Sequence, residues 1–217
     1  MEVVGECLGM SVASVVGYDR YLADAGLRTK GGRGKSAVQV TARDAAHLLV
    51  AILGGGQVKD AVATVQRYAQ TVPHSETSSK RGFKPLRFDE LASLPDSHSF
   101  IDALEAIITA ATNGSLRAAA QSQQKGRAEP AAKAPLIELA ALTPGTVGNV
   151  RVSDGHGKSA EIRYALLNPF SSNSKASRKE MTAWQSRIKV RTQSDLEQFR
   201  KVSERTVWAI GRALAAS

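Results

Sequence analysis

Apolar residues recur at helical spacing through the first half of this 217-residue chain and at a spacing of two further on, and this change of period limits the fold more than anything else. Four segments carry the helical period: Val12, Val15, Val16, Leu22 and Ala23; Ala45, Leu48, Leu49 and Ile52; Val62, Val65 and Tyr68; and Phe100, Leu104, Ile107 and Ile108. The third spans about Val58 to Gln70 and the fourth about Ser99 to Ala111. Between them Thr71 to Phe88 is polar and holds Pro73, Gly82 and Pro85, which predicts a long surface loop. Gln121 to Pro135 is rich in Gln, Ala and Lys with no period, the mark of a flexible linker.

Beyond the linker Val147, Val150 and Val152 recur before a turn at Asp154 to Gly157, and Ile162, Tyr164 and Leu166 alternate after it, predicting a hairpin. A third strand is expected at Arg187 to Arg191. A final helix is expected to open on the S-x-x-E pattern Ser194 to Glu197, with Phe199, Val202, Val207, Ile210 and Leu214 facing inward. Helices first and strands later indicate an α+β fold, mainly α with a small β part. Few aromatics, 5% of the chain, leave Val, Leu, Ile and Ala to build the core.

The N-terminal quarter has a more specific order. Val3, Val4 and Leu8 share a face of a short helix that Gly9 ends, Met10 fills a turn, and Ser11 is a natural N-cap for a second helix stopped by Gly26. Next comes Leu27 to Thr41, two strand-like pieces around Arg28, Lys30, Arg33 and Lys35 with Gly31, Gly32 and Gly34 and no acid among them. Thr41 and Asp44 form a T-x-x-D cap for a third helix, ended by Gly54, Gly55 and Gly56. A short helix, a tight turn and a second helix free to enter a major groove make a helix-turn-helix, and a glycine-rich cationic hairpin beside it suits the phosphate backbone as a wing. The expected organisation is a winged helix-turn-helix over 1–56, a helical segment over 57–120 that could mediate dimerisation, a linker over 121–135, and a small basic α+β domain over 136–217.

Charge agrees with a polyanionic partner: the net charge is +9 and the isoelectric point near 9.9. Cys7 is the only cysteine, so no intramolecular disulfide is expected. No apolar run reaches the length of a membrane span and no secretory leader pattern opens the chain, so a cytoplasmic protein without membrane partners is expected.

The run Gly9-Met10-Ser11 to Arg20, then Gly26-Leu27, the basic hairpin, and Thr41 to Leu49 resembles the MerR-type winged helix, a fold also found in phage excisionases and some phage terminase small subunits. The resemblance covers about a quarter of the chain and implies double-stranded DNA as partner. Candidate DNA contacts are Ser11, Ser14, Tyr18, Arg20, Arg28, Lys30, Arg33, Lys35 and Arg43. Where MerR-type regulators usually offer long polar or basic side chains, this chain has Ala13, Ser14 and Val16, so base readout is expected to be thin, with DNA shape and the wing contributing much of the binding. Lys175, Arg178 and Lys179, with Arg187, Lys189 and Arg191 on one face of a strand, form a candidate second basic surface.

Other chemistries find little support. Gly34-Lys35-Ser36 and Gly157-Lys158-Ser159 lack the glycine that a phosphate-binding loop needs five positions earlier, where Thr29 and Val152 stand. His47, His74, His98 and His156 are scattered without a second ligand at metal spacing, and no paired acids or triad stand out. No metal, cofactor or catalytic residue is expected. The expected function is a non-enzymatic, sequence-selective DNA-binding protein in transcriptional control, of phage or mobile-element origin, acting as a homodimer or higher homo-oligomer. A packaging factor similar to a terminase small subunit, which would hold a protein partner through its C-terminal domain, and a protein-interaction adaptor that binds no DNA are the alternatives.

Overall fold

The computed structural model describes residues 1–29, 39–78, 88–124, 137–143, 145–153, 158–166 and 198–216. Among them are eight α-helices and one five-stranded antiparallel sheet, an α+β fold. α1 (Glu2–Leu8) ends at Gly9, whose φ of 64° lets the amides of Gly9 and Met10 turn back to the carbonyls of Glu6 and Gly5. α2 (Val12–Asp24) starts from Ser11, whose hydroxyl accepts from the Ser14 amide at 3.1 Å. It closes the same way as α1: Gly26 and Leu27 donate to Ala23 and Leu22.

α3 (Ala42–Gly54) has the expected capping box, with Thr41 and Asp44 bonding each other's amides. Every residue from Asp44 to Gly54 is buried. A helix covered on all sides is a core element. Its C-terminal carbonyls are met from the sheet: Arg200 donates to the oxygens of Ile52 (2.8 Å) and Gly55 (2.6 Å), and the Thr143 hydroxyl donates to Gly54 (2.9 Å). Cationic donors belong at that negative end of the helix dipole.

After a 3-10 turn at Val58–Asp60 and α4 (Ala61–Tyr68), residues 71–78 are not in a surface loop as expected but in strand β1 (Thr71–Ser78). The chain runs antiparallel to β4 despite Pro73 because β1 is an edge strand and the register shifts between Pro73 and Ser75. Residues 79–87 of that segment lie outside the described residues. α5 (Asp89–Ala92), α6 (Phe100–Asn113) and α7 (Ser115–Gln124) follow. The linker expected from Gln121 therefore still carries helix as far as Gln124, and 125–135 lie outside the described residues.

The remaining strands are β2 (Ile137–Thr143), β3 (Val147–Ser153), β4 (Ser159–Leu166) and β5 (Gln198–Ser203), in the order β1-β4-β3-β2-β5. The hairpin of β3 and β4 is as expected, but its inner face on β3 carries Gly148, Val150 and Val152, not Val147, which has the opposite parity. Glycine is required there: a Cβ on Gly148 would stand 2.5 Å from the Phe100 ring of α6. The closing helix, α8 (Glu204–Ala215), is capped by Ser203 without a side-chain bond, and Phe199 and Val202 belong to β5. Val202 is buried as expected, whereas Phe199 is 54% exposed and does not face inward. Ser194 to Glu197 and the strand expected at Arg187 to Arg191 lie outside the described residues.

α6 is the centre of the molecule. Phe100, Ile101, Ala103, Leu104, Ile107, Ile108 and Ala110 are each fully enclosed, between α3, α8 and the sheet. Within the 57–120 segment expected to mediate dimerisation, the apolar face of α6 is thus inside the protein's own core. Packing does not pause at residue 56 either: one apolar cluster runs from Val4 through α3 and α6 to Ile210, and β1, from the middle of the chain, pairs with the C-terminal strands. No helix among the described residues is long and apolar enough to cross a membrane.

Candidate nucleic-acid interface

α2 has two unlike faces. Val15, Tyr18 and Leu22 point into the core, while Ser11, Val12, Ala13, Val16, Arg20 and Tyr21 face solvent. Val12, Val16 and Tyr21 are 44%, 46% and 46% exposed, so the outer face of α2 is open and largely apolar.

The structure separates the candidate contacts. Ser11 and Arg20 are exposed on or next to the outer face, Arg20 beside Asp24 one turn on. Ser14 is half-buried and shares its hydroxyl with that of Ser11 at 2.9 Å, which leaves it bound within the N-cap. Tyr18, at 4% exposure, is a packing residue and not a surface contact. Arg28 is paired with the Asp19 carboxylate and is only 22% exposed. Arg43 reaches away from α2 to Asp102 (2.5 Å) and Glu105 (2.8 Å) of α6, a tie between two helices. Those partners raise its pKa over the opposing effect of burial, so its charge is committed internally. Lys30, Arg33 and Lys35, like Lys175, Arg178, Lys179, Arg187, Lys189 and Arg191, lie outside the described residues.

What is described is how the basic segment is anchored. Asp44 receives the Thr29 amide (2.8 Å) and hydroxyl (3.2 Å) on Oδ1, and the Thr41 amide (2.9 Å) and hydroxyl (2.9 Å) on Oδ2. One carboxylate therefore holds Thr29 and Thr41, which stand on either side of Lys30, Arg33 and Lys35 in the sequence. Burial pushes the Asp44 pKa up, but the Thr41 and Thr29 donors outweigh it, and the carboxyl sits below the ordinary aspartate range. Nearby, the His47 ring places Nδ1 2.6 Å from the Leu27 carbonyl oxygen, fixing the exit of α2 against α3. His47 is thus a packed histidine. Asp19 differs from Asp44: burial raises its pKa in spite of Arg28.

The T-x-x-D spacing revealed Asp44 as a cap, but its second role depends on Thr29, fifteen residues upstream, and no local pattern signals that. The Asp19 to Arg28 pair spans a helix end and is equally invisible to helical spacing. Comparison with known family models, curated proteins and solved structures gives no match. The site's own chemistry must carry the functional reading. Among the described residues no group of three His, Cys, Asp or Glu side chains could hold a metal ion.

Proposed function

We propose that the chain is a non-enzymatic, sequence-selective double-stranded DNA-binding protein of a regulatory type, in which α1, the Gly9 to Ser11 turn and α2 act as a helix-turn-helix and the segment from Leu27 to Thr41 as its wing. The observation that carries the reading is the conjunction at Asp44: a cationic, glycine-rich stretch pinned at both ends to the start of α3, next to a helix whose outer face is left uncovered. The open face suits weak base reading. Val12, Ala13 and Val16 can pack on thymine methyl groups, while Ser11 and Arg20 supply polar contacts. Affinity then rests mainly on wing cations and phosphates. Two copies on a pseudo-palindromic site belong to the proposal, with the dimer surface away from α6, which is enclosed.

Anisotropy titrations of labelled duplex at several salt concentrations test it. Arg33→Ala with Lys35→Ala should weaken binding to every sequence and flatten the salt slope by about one unit per lost phosphate contact, whereas Arg20→Ala should alter sequence preference more than slope. Absence of any salt-dependent duplex binding by the native protein at low salt would overturn the proposal. One observation favours a second reading, an adaptor that binds another protein: the exposed part of α2 is richer in Val and Tyr than in charge. Under that reading Val16→Asp abolishes partner capture and Arg33→Ala changes nothing.

A further inference from the structure

α1, the ends of the basic segment, the first half of α3 and the last turns of α8 meet around a cleft of about 210 Å³. Its floor is formed by Val4, Leu48 and Ile210, all buried in the core, with Leu214 on one wall. Met1 and Val40 stand at its rim, each 37% exposed, two of the few large apolar side chains that the described surface leaves in water. The polar margin is Asp19, Arg28 and Asp44.

Most of these polar groups are engaged within the protein. Asp19 and Arg28 neutralise each other, Arg28 also donates to the Thr29 carbonyl oxygen, and Asp44 accepts four hydrogen bonds from Thr29 and Thr41. On that margin two carboxylates, Asp19 and Asp44, flank Arg28, so an anion entering the cleft would meet like charge and give up its hydration over an apolar floor. The apolar floor and rim have the opposite need. A dry apolar cavity of about 150 Å³ is enough to hold benzene, and this cleft is somewhat larger. It is too small for a peptide helix, which is roughly 10 Å across with its side chains.

The geometry points to a binding site for a neutral, apolar small molecule of one or two rings, seated between α1, α3 and α8. Its occupant touches Asp44, which holds both ends of the basic segment through Thr29 and Thr41, and also Arg28 and Val40 beside those ends, so filling the cleft bears on how that segment is held. Binding itself is independent of the DNA-binding reading. Its effect on a wing rests on that reading.

The test uses the full chain with indole as the probe and benzoate as its charged counterpart, followed by methyl and amide NMR. Indole should move the Leu48 and Ile210 methyl resonances saturably, together with the Thr29 and Thr41 amides. Benzoate should bind at least about ten-fold more weakly, because its carboxylate gives up hydration over the apolar floor and meets the Asp19 and Asp44 carboxylates at the margin. Ala213, an exposed residue of α8 that lines the cleft, offers a way to fill it. Ala213→Trp should abolish the indole shifts, and Ala213→Leu, the milder change should the first disturb folding, should weaken them. Indole leaving Leu48 and Ile210 unmoved, equal binding of benzoate, or undiminished binding by both variants would each overturn the site. Still Thr29 and Thr41 amides despite saturable binding would overturn the link to the basic segment. Because no DNA is present, failure here is distinct from failure of duplex binding.

Discussion

Asp44 shows how much one side chain can organise. It caps α3, binds the residues on both sides of the cationic stretch, and does so as an ion in a partly buried setting. Asp44→Asn keeps one acceptor oxygen and loses the other, so one threonine pair goes unanswered, and a loss of roughly 1.5–3 kcal/mol is expected in denaturant titrations at neutral pH. The pH dependence has a definite sign. A carboxyl whose folded-state pKa lies below the unfolded value, near 3.9, favours folding fully above that value and loses the contribution as pH falls through the lower folded value. Asp102, which burial pushes up but Arg43 and the Ser99 donors hold below its ordinary range, acts in the same direction. Native protein should therefore destabilise in acid below about pH 4, and Asp44→Asn should show a shallower acid limb. An unchanged limb would mean that Asp44 is not held ionised by its donors.

Elements meet at points where a side chain has been left out. A Cβ on Gly211 of α8 would come within 2.7 Å of the Ala111 Cβ on α6, so these helices touch nearly backbone to backbone. Gly211→Val should force them apart at a cost of about 1–3 kcal/mol or more, read as a lower midpoint of thermal unfolding. Gly148→Ala strikes the Phe100 ring in the same way, where Tyr68 and Tyr164 ring centroids at 5.7 and 5.5 Å leave no room for it to retreat. Both glycines look like unremarkable strand and helix residues in the sequence, because their reason lies in a partner element far along the chain.

At the scale of the molecule, the first three helices share one core with the sheet and α8. The buried faces of α3 are covered by α6, β2 and α4, none of which lies in residues 1–56. A fragment of residues 1–56 should therefore fail to fold, showing little helical circular dichroism and narrow amide dispersion, whereas the full chain should unfold in one cooperative transition. A well-folded fragment would mean that the N-terminal unit is autonomous and that its docking on α8 is secondary.

What was legible in the sequence was local. The turn at Gly9, the N-cap at Ser11, the box at Thr41 and Asp44, and the stripe of α6 each depend on residues within a few positions of one another, and each stands where its pattern places it. Candidate contacts were harder, since Tyr18 and Arg43 are surface or core according to what packs against their helices, and period alone does not say. The fate of residues 71–78 and 198–203 was decided in the same way: a polar stretch with a proline becomes an edge strand, and Phe199 and Val202 become strand residues, because neighbouring strands offer their backbones partners. Capping and helical period act through the chain's own neighbours. Sheet pairing and burial act through residues brought close only by the fold, so the tertiary structure alone decided which strands formed, that Arg28 and Arg43 are tied to acids, and where the cleft opened.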